Sequence, residues 1–260
     1  MKLIASRDNA HFKMLRKLCH SSRERRKTGL AVLEGMHLVS AWETRFGKVQ
    51  EILVSETGLQ NAEIAAYLAR GERAPTVRLS DGLFAVLTEV ETPCGILALV
   101  QQPRPPGGID QEADAVLLDG VQDPGNLGSI LRTAAAAGFR QVLLSSDCAH
   151  AWTPKTLRAG MGAHFLLDIH ERVNLPGFLA AYRGTIALTA LDAKTSLYTA
   201  ALKNPVAWVF GSEGQGVRPE VVVLAKLQLR IPMPGGTESL NVAAAAAVCL
   251  FETIRQRQQG

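Results

Sequence analysis

Several features that mark other protein classes are missing from this sequence. Its four cysteines, Cys19, Cys94, Cys148 and Cys249, form no CxxC pair and have no nearby histidine at zinc-ligand spacing. Such scatter is typical of reduced thiols in a cytoplasmic protein and argues against a disulfide framework or a zinc site. The longest apolar run, Val242–Phe251, is too short for a membrane span, which needs about 20 residues. We therefore expect a cytoplasmic protein without a resident metal and without a membrane partner.

A signal peptide and the familiar phosphate-binding loops are missing as well. The start, MKLIASRDNAHFK, turns polar after five residues, so no signal-peptide core is expected there. The chain has no GxxxxGKS or GxxxxGKT loop, and the GSEGQG at 211–216 reverses the GxGxxG spacing. A nucleotide-like ligand is therefore not expected to bind as it does in dinucleotide-binding domains. With 47% hydrophobic and 20% charged residues, the composition predicts a folded globular chain.

Positive charge is concentrated in the first part of the chain. Residues 1–104 contain 15 Lys and Arg against 11 Asp and Glu, whereas residues 105–260 contain 13 of each. A basic segment of this density is a candidate for binding nucleic-acid phosphates. The candidate residues are Lys13, Arg16, Lys17, Arg23, Arg25, Arg26 and Lys27. The alternative, a solvated helix face, explains the charge alone equally well.

A stretch rich in proline and glycine divides the chain. QQPRPPGG suits neither a helix nor a central strand, so we place a linker at about 101–110, between domains over 1–104 and 111–260. In the first domain the pattern predicts a basic helix over 8–28, a helix closed by Gly71 and several short strands. This alternation is typical of a small α/β domain.

Apolar strands alternate with helices in the second domain, which predicts a parallel sheet covered on both faces. We expect a strand at 164–169, HFLLDI, and a helix with Asn126 as its cap and Gly138 as its stop. Ligands of such sheets bind at the carboxyl ends of the strands. Three loops that follow strands, QDPGNLGSILRT, GSEGQGV and PMPGGTESLN, are rich in Gly, Pro and small polar residues and are candidate ligand-binding segments.

Polar side chains in these loops are the candidate functional groups. Arg132 lies in a helix of small and apolar residues, where it either pairs with a carboxylate such as Glu213 or faces an anionic or hydroxyl substrate. Thr237, Ser239 and Asn241 all precede the alanine-rich last helix. Capping that helix needs only one of them, so the others are candidates for a site.

Together, these segments resemble the three signature motifs of the SpoU/TrmH branch of the SPOUT RNA methyltransferases. DPGNLGSILRTAAAAG, VFGSEGQGV and IPMPGGTESLNVAAAAAVCLFE occur in the family's order and with its internal spacing. TPKTLRAGMGAHF resembles the element between the first two motifs, and the resemblance covers 111–260. Residues 1–104 resemble, in less detail, the family's L30e-like substrate-binding domain through SRDNAHFKMLRKL, LEGMHLV and CGILALV.

The resemblance implies a SPOUT α/β domain with a parallel sheet and a deep trefoil knot, preceded by a smaller L30e-like α/β domain. It further implies a homodimer through the C-terminal domain that uses S-adenosylmethionine, without a metal, to methylate ribose 2′-hydroxyls of structured RNA. The implied catalytic residues are Asn126, Arg132, Glu213, Ser239 and Asn241. The implied cofactor-binding residues are Ala190, Leu191, Gly211, Ile231, Met233 and Leu240. In this context the basic segment is interpreted as an RNA-binding surface.

Several functions remain open within this resemblance. The two-domain layout favours 23S rRNA over tRNA as substrate, and an antibiotic-resistance role is an alternative to housekeeping. A base-modifying enzyme and a non-catalytic RNA-binding or ribosome-assembly factor are further alternatives, although all five implied catalytic positions are intact. Because a guanidinium stays protonated in proteins, Arg132 is expected to stabilise a developing alkoxide rather than to act as a general base.

Overall fold

The chain folds into two compact units. The computed structural model describes residues 1–70 and 74–259. One unit comprises Met1–Pro103 together with Trp152–Phe165, and the other comprises Arg104–Ala151 together with the chain from Leu166 onward. Residues 152–165 therefore pack with the first unit, although in sequence they interrupt the second.

The first unit is built on a mixed five-stranded sheet of order β1-β4-β3-β5-β2. The strands β1, β4 and β3 are parallel, and β5 runs antiparallel to both of its neighbours. The elements are β1 (Lys2–Ile4), α1 (Ala10–His20), α2 (Ser22–Thr28), β2 (Leu30–Glu34), α3 (Met36–Phe46), β3 (Glu51–Ser55), α4 (Ala62–Ala69), β4 (Thr76–Leu79), α5 (Asp81–Leu87) and β5 (Ile96–Gln101). Gly71, expected to close a helix, lies outside the described residues.

The first helix packs its apolar stripe against the sheet. Phe12, Leu15 and Leu18, spaced three residues apart, are buried in one cluster with Phe84 and Leu97. Burial of each such side chain contributes about 1.5–3 kcal/mol. The polar positions between them are left to face solvent, so this packing sets which face of the helix carries charge.

The expected single helix over 8–28 is wrong. Two helices meet at Ser21, whose extended backbone (φ −124°, ψ 111°) ends α1. The Ser21 hydroxyl then accepts a hydrogen bond from the Glu24 amide at 3.3 Å and caps α2. Serine makes such local bonds in competition with a continuous helix, which accounts for the break.

Residues 152–165 form α7 (Pro154–Gly160) and a short 3-10 turn (Ala163–Phe165). Arg158 on α7 forms an ion pair with Glu34 at the end of β2, and the Phe165 ring packs edge-on to Trp42 at 5.3 Å. The expected strand at 164–169 is therefore wrong at its start: the turn occupies its first residues, and the strand begins only at Asp168.

The second unit contains a seven-stranded sheet of order β10-β12-β9-β11-β6-β7-β8 in which all paired neighbours are parallel, as predicted. Its elements are β6 (Ala115–Asp119), α6 (Pro124–Ala136), β7 (Gln141–Leu144), β8 (Asp168–His170), α8 (Leu175–Ala181), β9 (Thr185–Thr189), β10 (Thr195–Ser196), β11 (Val206–Gly211), α9 (Pro219–Val222), β12 (Leu227–Arg230) and α10 (Val242–Gln258).

Helices cover both faces of this sheet, as the sequence predicts. Ala207 and Val209 of β11 pack in one cluster with Phe178 of α8. The intervening Trp208 points the other way and donates a hydrogen bond to Thr253 on α10 at 3.0 Å. The carboxyl ends of the strands are left open, and the three candidate loops leave the sheet there.

Candidate active site

The three candidate loops meet at the carboxyl edge of the parallel sheet. The strands β6 and β11 are direct neighbours, with Gly211 in register with Asp119 at their ends. The first loop leads from β6 into α6, the second follows β11, and the third leads from β12 into α10. Parallel pairing brings these segments together although they lie far apart in sequence.

A cavity of about 320 Å³ opens between the second and third loops and the loop after β9. All six predicted cofactor-binding residues line it: Ala190, Leu191, Gly211, Ile231, Met233 and Leu240. Three of the five predicted catalytic residues, Glu213, Ser239 and Asn241, line it as well. The volume lies in the range of about 300–1,000 Å³ that is usual for small-molecule sites.

The cavity wall combines apolar and polar surface in similar amounts and carries a single acidic group. None of its sixteen lining residues, all within the described part of the chain, is Lys or Arg, and Glu213 is their only carboxylate. Gly211 keeps the wall tight, because a Cβ there would lie 2.1 Å from the backbone carbon of Gly216. Such a wall favours a ligand with apolar parts and a positive charge.

A chain of hydrogen bonds joins three predicted catalytic side chains. Asn241 donates from Nδ2 to Oδ1 of Asn126 at 3.0 Å, and Asn126 donates from Nδ2 to Oε1 of Glu213. Asn241 also caps α10, since its Oδ1 accepts from the amides of Ala243 and Ala244. The capping bond fixes the amide orientation and leaves Nδ2 free to donate to Asn126.

The expectation that Asn126 caps its helix is wrong. Asp123 is the cap of α6, and its Oδ1 accepts from the Asn126 amide at 2.8 Å. Pro124 and Gly125 fill the first two helical positions, so Asn126 lies in the first turn with its side chain unused by the helix. This placement lets its amide donate to one partner and accept from another.

Arg132 does not join this chain of hydrogen bonds. It is exposed on α6, and among the described residues its side chain has neither a hydrogen bond nor an ion pair. It lies six positions after Asn126, and since a helix turns about 100° per residue, the two side chains point in different directions. Glu213 accepts from Asn126 instead, so the alternative that Arg132 pairs with Glu213 is not observed.

The first unit presents a basic face on α1 and α2. Six predicted phosphate contacts are exposed there: Lys13, Arg16, Lys17, Arg23, Arg26 and Lys27. On each helix three cations recur with the spacing i, i+3 and i+4, which places them on one side. Lys13 also bonds Asp8 at 2.9 Å, and this bond lowers the pKa of the exposed Asp8 carboxyl.

The prediction that Arg25 contacts phosphate is wrong. Arg25 is 2% exposed, and its guanidinium donates to the carbonyls of Leu18 and Cys19 and to the Ser22 hydroxyl. These carbonyls belong to the last turn of α1, where no helical donors remain for them. Arg25 therefore holds the junction of the two helices together from inside.

Seven residues that complete the cavity wall were not predicted individually, although all but Thr189 lie inside the second and third signature motifs. They are Thr189, Phe210, Ser212, Gly216, Val217, Val242 and Ala245. Each lies within a few residues of a motif position, at a strand end, inside the glycine-rich loop or in the first turn of α10. The strand-end pattern could have located them, but their contact with a common cavity depends on how the loops fold back.

Residues 1–70 and 74–259 contain neither a candidate metal site nor a helix that could span a membrane. No group of three or more His, Cys, Asp or Glu side chains there could hold a metal ion. No helix in the same ranges is long and apolar enough to cross a membrane. The four cysteines are free thiols, and burial raises the pKa of Cys19 to about 12.

Both parts of the chain match the profile of a known protein family. The profile of the SpoU rRNA Methylase family matches residues 114–251. The chain belongs to the SpoU rRNA methylase family. A second profile, of the MRM3-like substrate binding domain, matches residues 9–98 of this SpoU methylase and so includes the basic face. The predicted family is thereby confirmed.

Relatives of this SpoU methylase span nearly the whole chain. The 23S rRNA (guanosine(2553)-2′-O)-methyltransferase RlmP of Bacillus subtilis is 37% identical over 254 residues, which cover 96% of this chain and 98% of that protein. The 23S rRNA (guanosine-2′-O-)-methyltransferase RlmB of Bordetella pertussis is 33% identical over 244 residues, covering 87% and 98%. The crystal structure of the SpoU methyltransferase AviRb from Streptomyces viridochromogenes in complex with AdoMet has a TM-score of 0.86 at 27% identity, covering 97% of this chain and 99% of AviRb.

Proposed function

We propose that this SpoU methylase transfers a methyl group from S-adenosylmethionine to the ribose 2′-hydroxyl of a guanosine in 23S rRNA. The observation that carries the proposal is the cavity at the sheet edge, beside which Asn126, Glu213 and Asn241 form one chain of hydrogen bonds. Family membership supports the reaction class. We infer the substrate from the two relatives, both of which are named as guanosine 2′-O-methyltransferases of 23S rRNA.

The residues of the cavity fit S-adenosylmethionine. Apolar surface for the adenine ring and the carbon chains on the sulfur comes from Ala190, Ile231, Met233 and Leu240. The closely packed backbone at Gly211 offers N–H and C=O groups for hydrogen bonds. A cation-free wall with one carboxylate suits a ligand that carries a sulfonium charge. When bound, S-adenosylmethionine supplies a methyl group attached to that sulfonium sulfur.

The chain's own residues orient the hydroxyl and stabilise charge. Asn126 and Asn241 hold the first and third loops in one arrangement through their mutual hydrogen bond, while Glu213 ties the second loop to Asn126. Arg132 does not line the cavity of its own chain, and we propose that its fixed positive charge stabilises the alkoxide developing on the ribose O2′ once RNA is bound. Ser239, at the cavity wall, supplies a hydroxyl that positions substrate groups.

The basic face of α1 and α2 serves as the RNA-binding surface. Its six exposed cations outnumber the neighbouring carboxylates, and the substrate-binding domain profile covers these helices. Contacts to phosphates and to the shape of a structured stem-loop account for such a surface.

A homodimer through the second unit completes the site. Ala244 and Phe251 are exposed on α10 and Val248 lies between them, so one side of this helix presents an apolar stripe. Phe251 is 50% exposed, which is costly for an aromatic ring unless a partner covers it. A second copy of the chain is the occupant that the family resemblance implies.

The deep trefoil knot is part of the same proposal. The strand β12 pairs with both β9 and β10, although β9 and β10 are joined directly through residues 190–194. The strand order β10-β12-β9 is accounted for if the chain that follows β11 passes through the loop formed by residues 190–194. Ala190 and Leu191, which line the cavity, belong to this loop.

A cytoplasmic location is also part of the proposal, because it follows from an rRNA substrate.

Purified full-length protein with labelled S-adenosylmethionine tests the function. We expect transfer to 23S rRNA, or to ribosomal particles, at one ribose that mapping of 2′-O-methyl groups identifies as a guanosine. Transfer only to tRNA would show that the proposed substrate is wrong. Methylation of a base would show that the proposed reaction is wrong. Cofactor binding by calorimetry without any transfer to cellular RNA would favour a non-catalytic RNA-binding factor.

A further inference from the structure

A buried carboxylate lies directly beneath the loop that carries Glu213. Asp119, the last residue of β6, has a side chain only 1% exposed. Its Oδ1 accepts from Nε of Arg218 at 2.8 Å, and its Oδ2 accepts from the Arg218 backbone amide at 2.9 Å. One residue thus satisfies both oxygens, using a side-chain donor and a main-chain donor. Bonds to an ionised group of this kind are stronger than neutral ones.

Arg218 is the point at which the second loop rejoins the fold. The loop leaves β11 at Gly211 and turns back so that Ser212 and Gly216 exchange two backbone hydrogen bonds, of 3.1 and 2.9 Å. Glu213 lies inside this turn. The loop is therefore held at its base by the Ser212–Gly216 pair and at its exit by the bonds from Arg218 to Asp119.

We propose that Asp119 and Arg218 are positioning residues, which fix the second loop so that Glu213 meets Asn126 and the cavity wall keeps its shape. This role rests on the proposed function of the cavity but not on the identity of the RNA. Opening of the loop at Arg218 leaves a buried carboxylate without donors, so the closed arrangement dominates before any ligand binds. The loop is preorganised by a charge that never touches the substrate.

A related but more exposed pair lies at the opposite end of the same strand, where the Asp114 side chain is 28% exposed against 1% for Asp119. Asp114, just before β6, accepts from the Val206 backbone amide at 2.8 Å and from the Arg257 guanidinium at 2.8 Å. It combines one main-chain donor with one arginine, as Asp119 does, but it holds the start of β11 rather than the loop after it. Asp114→Asn is therefore the control for Asp119→Asn, and Arg257→Ala is the control for Arg218→Ala.

The decisive readout is hydrogen exchange in the protein without ligand. We expect Asp119→Asn to accelerate exchange of the Ser212 and Gly216 amides by about tenfold to a hundredfold, the effect of losing one charge-assisted hydrogen bond. Asp114→Asn is expected to accelerate exchange at Val206 and to leave Ser212 and Gly216 unchanged. Arg218→Ala keeps the main-chain hydrogen bond from the amide of residue 218 to Asp119 Oδ2 and is expected to give a smaller acceleration than Asp119→Asn.

Cofactor binding and turnover give the second readout. We expect Asp119→Asn to weaken the affinity for S-adenosylmethionine by about tenfold and to lower kcat further, while Asp114→Asn changes neither by more than about twofold. Equal losses in the two Asn variants would mean a general effect on stability and would overturn the proposal. Unchanged exchange at Ser212 and Gly216 in Asp119→Asn would overturn it as well.

Failure of the proposed function gives a different pattern. If the wild-type protein bound no S-adenosylmethionine, the function of the cavity would be wrong. Accelerated exchange confined to the second loop in Asp119→Asn would still establish that the pair holds that loop. The exchange experiment therefore tests the positioning role independently of catalysis.

Discussion

Asn241 donates a hydrogen bond from its Nδ2 to Oδ1 of Asn126 at 3.0 Å, across 115 positions of sequence. The same Asn241 caps α10 through Oδ1. One side chain thus starts the last helix and joins the loop before it to the first motif. Asparagine is suited to both tasks, because its amide carries an acceptor and a donor on one planar group.

Asn241→Asp separates the two tasks. Aspartate caps a helix as well as asparagine does, so the free energy of unfolding is expected to stay within about 0.5 kcal/mol of wild type. It has no donor for Asn126 and adds a charge near Glu213, so kcat is expected to fall by about a hundredfold. Asn241→Ala is expected to lose both the activity and about 1 kcal/mol of stability. Denaturant titration and single-turnover methyl transfer measure the two effects, and full activity in Asn241→Asp would contradict the role of the donor.

Arg132→Ala is expected to abolish methyl transfer while leaving cofactor affinity and stability close to wild type. The side chain is exposed and has no partner among the described residues, so its removal breaks no bond of the fold. Arg132→Lys is expected to be poor as well, because an ammonium does not replace the planar fork of a guanidinium. Calorimetry with S-adenosylmethionine alongside a transfer assay checks this, and near-normal turnover in either variant would refute the assignment.

Alanine substitutions of the neighbouring residues Arg25 and Arg26 are expected to affect different properties, stability for Arg25 and RNA affinity for Arg26. Arg26→Ala removes an exposed cation, so RNA affinity is expected to fall and the salt dependence of binding to decrease by about one counterion. Arg25→Ala removes a buried donor to three oxygens and is expected to lower the free energy of unfolding by about 2–3 kcal/mol. Filter binding over a salt series and denaturant titration distinguish the variants. Loss of stability in Arg26→Ala, with RNA binding intact, would rule out the basic face as the RNA-binding surface.

Glu34→Ala tests the attachment of residues 152–165 to the first unit. The Glu34 side chain is 4% exposed and pairs with Arg158, so its removal leaves a partly buried guanidinium unpaired. We expect a loss of about 3 kcal/mol in the free energy of unfolding. The exposed pair of Glu56 and Arg78 provides the control, since Glu56→Ala is expected to cost less than about 1 kcal/mol. Equal small losses in both variants would show that the pair does not hold this segment.

Phe251→Arg tests the dimer. A charge in the middle of the apolar stripe on α10 is expected to raise the dimer dissociation constant at least about tenfold. Gln258→Arg, an exposed position at the end of the same helix, is expected to leave association unchanged. Sedimentation velocity at several concentrations measures both, and an unaltered dimer in Phe251→Arg would place the interface elsewhere.

Much of the fold could be predicted because it depends on local pattern. Continuous apolar strands alternating with helices indicate a parallel sheet, and the glycine-rich segments that follow three of the strands mark its open edge. The predicted helix stop at Gly138 also matches, since α6 ends at Ala136 and Gly138 has a φ of +78°. These features require only the order of residue types along a short stretch.

Competition between neighbouring groups was less predictable. Asp123 and Asn126 are both good caps, and the choice between them depends on Pro124, which fits the first helical position only if Asp123 is the cap. Ser21 breaks a basic stretch that its composition would allow to continue as one helix. In both cases several local solutions have similar free energies, and the surrounding packing selects one.

The α/β class and the order of the motifs follow from the sequence alone, and the family resemblance predicts six cofactor-binding residues, all of which line one cavity. Tertiary structure decided that Arg25 is buried while Arg26 is exposed, that residues 152–165 pack with the first unit, and that Asp119 holds Arg218. Two physical reasons apply. The carboxylates that bind Arg218 and Arg158 lie 99 and 124 positions away in sequence and become neighbours only when the sheets form. The acceptors of Arg25 are only three to seven positions away, but α2 must fold back on the last turn of α1 before Arg25 can reach them.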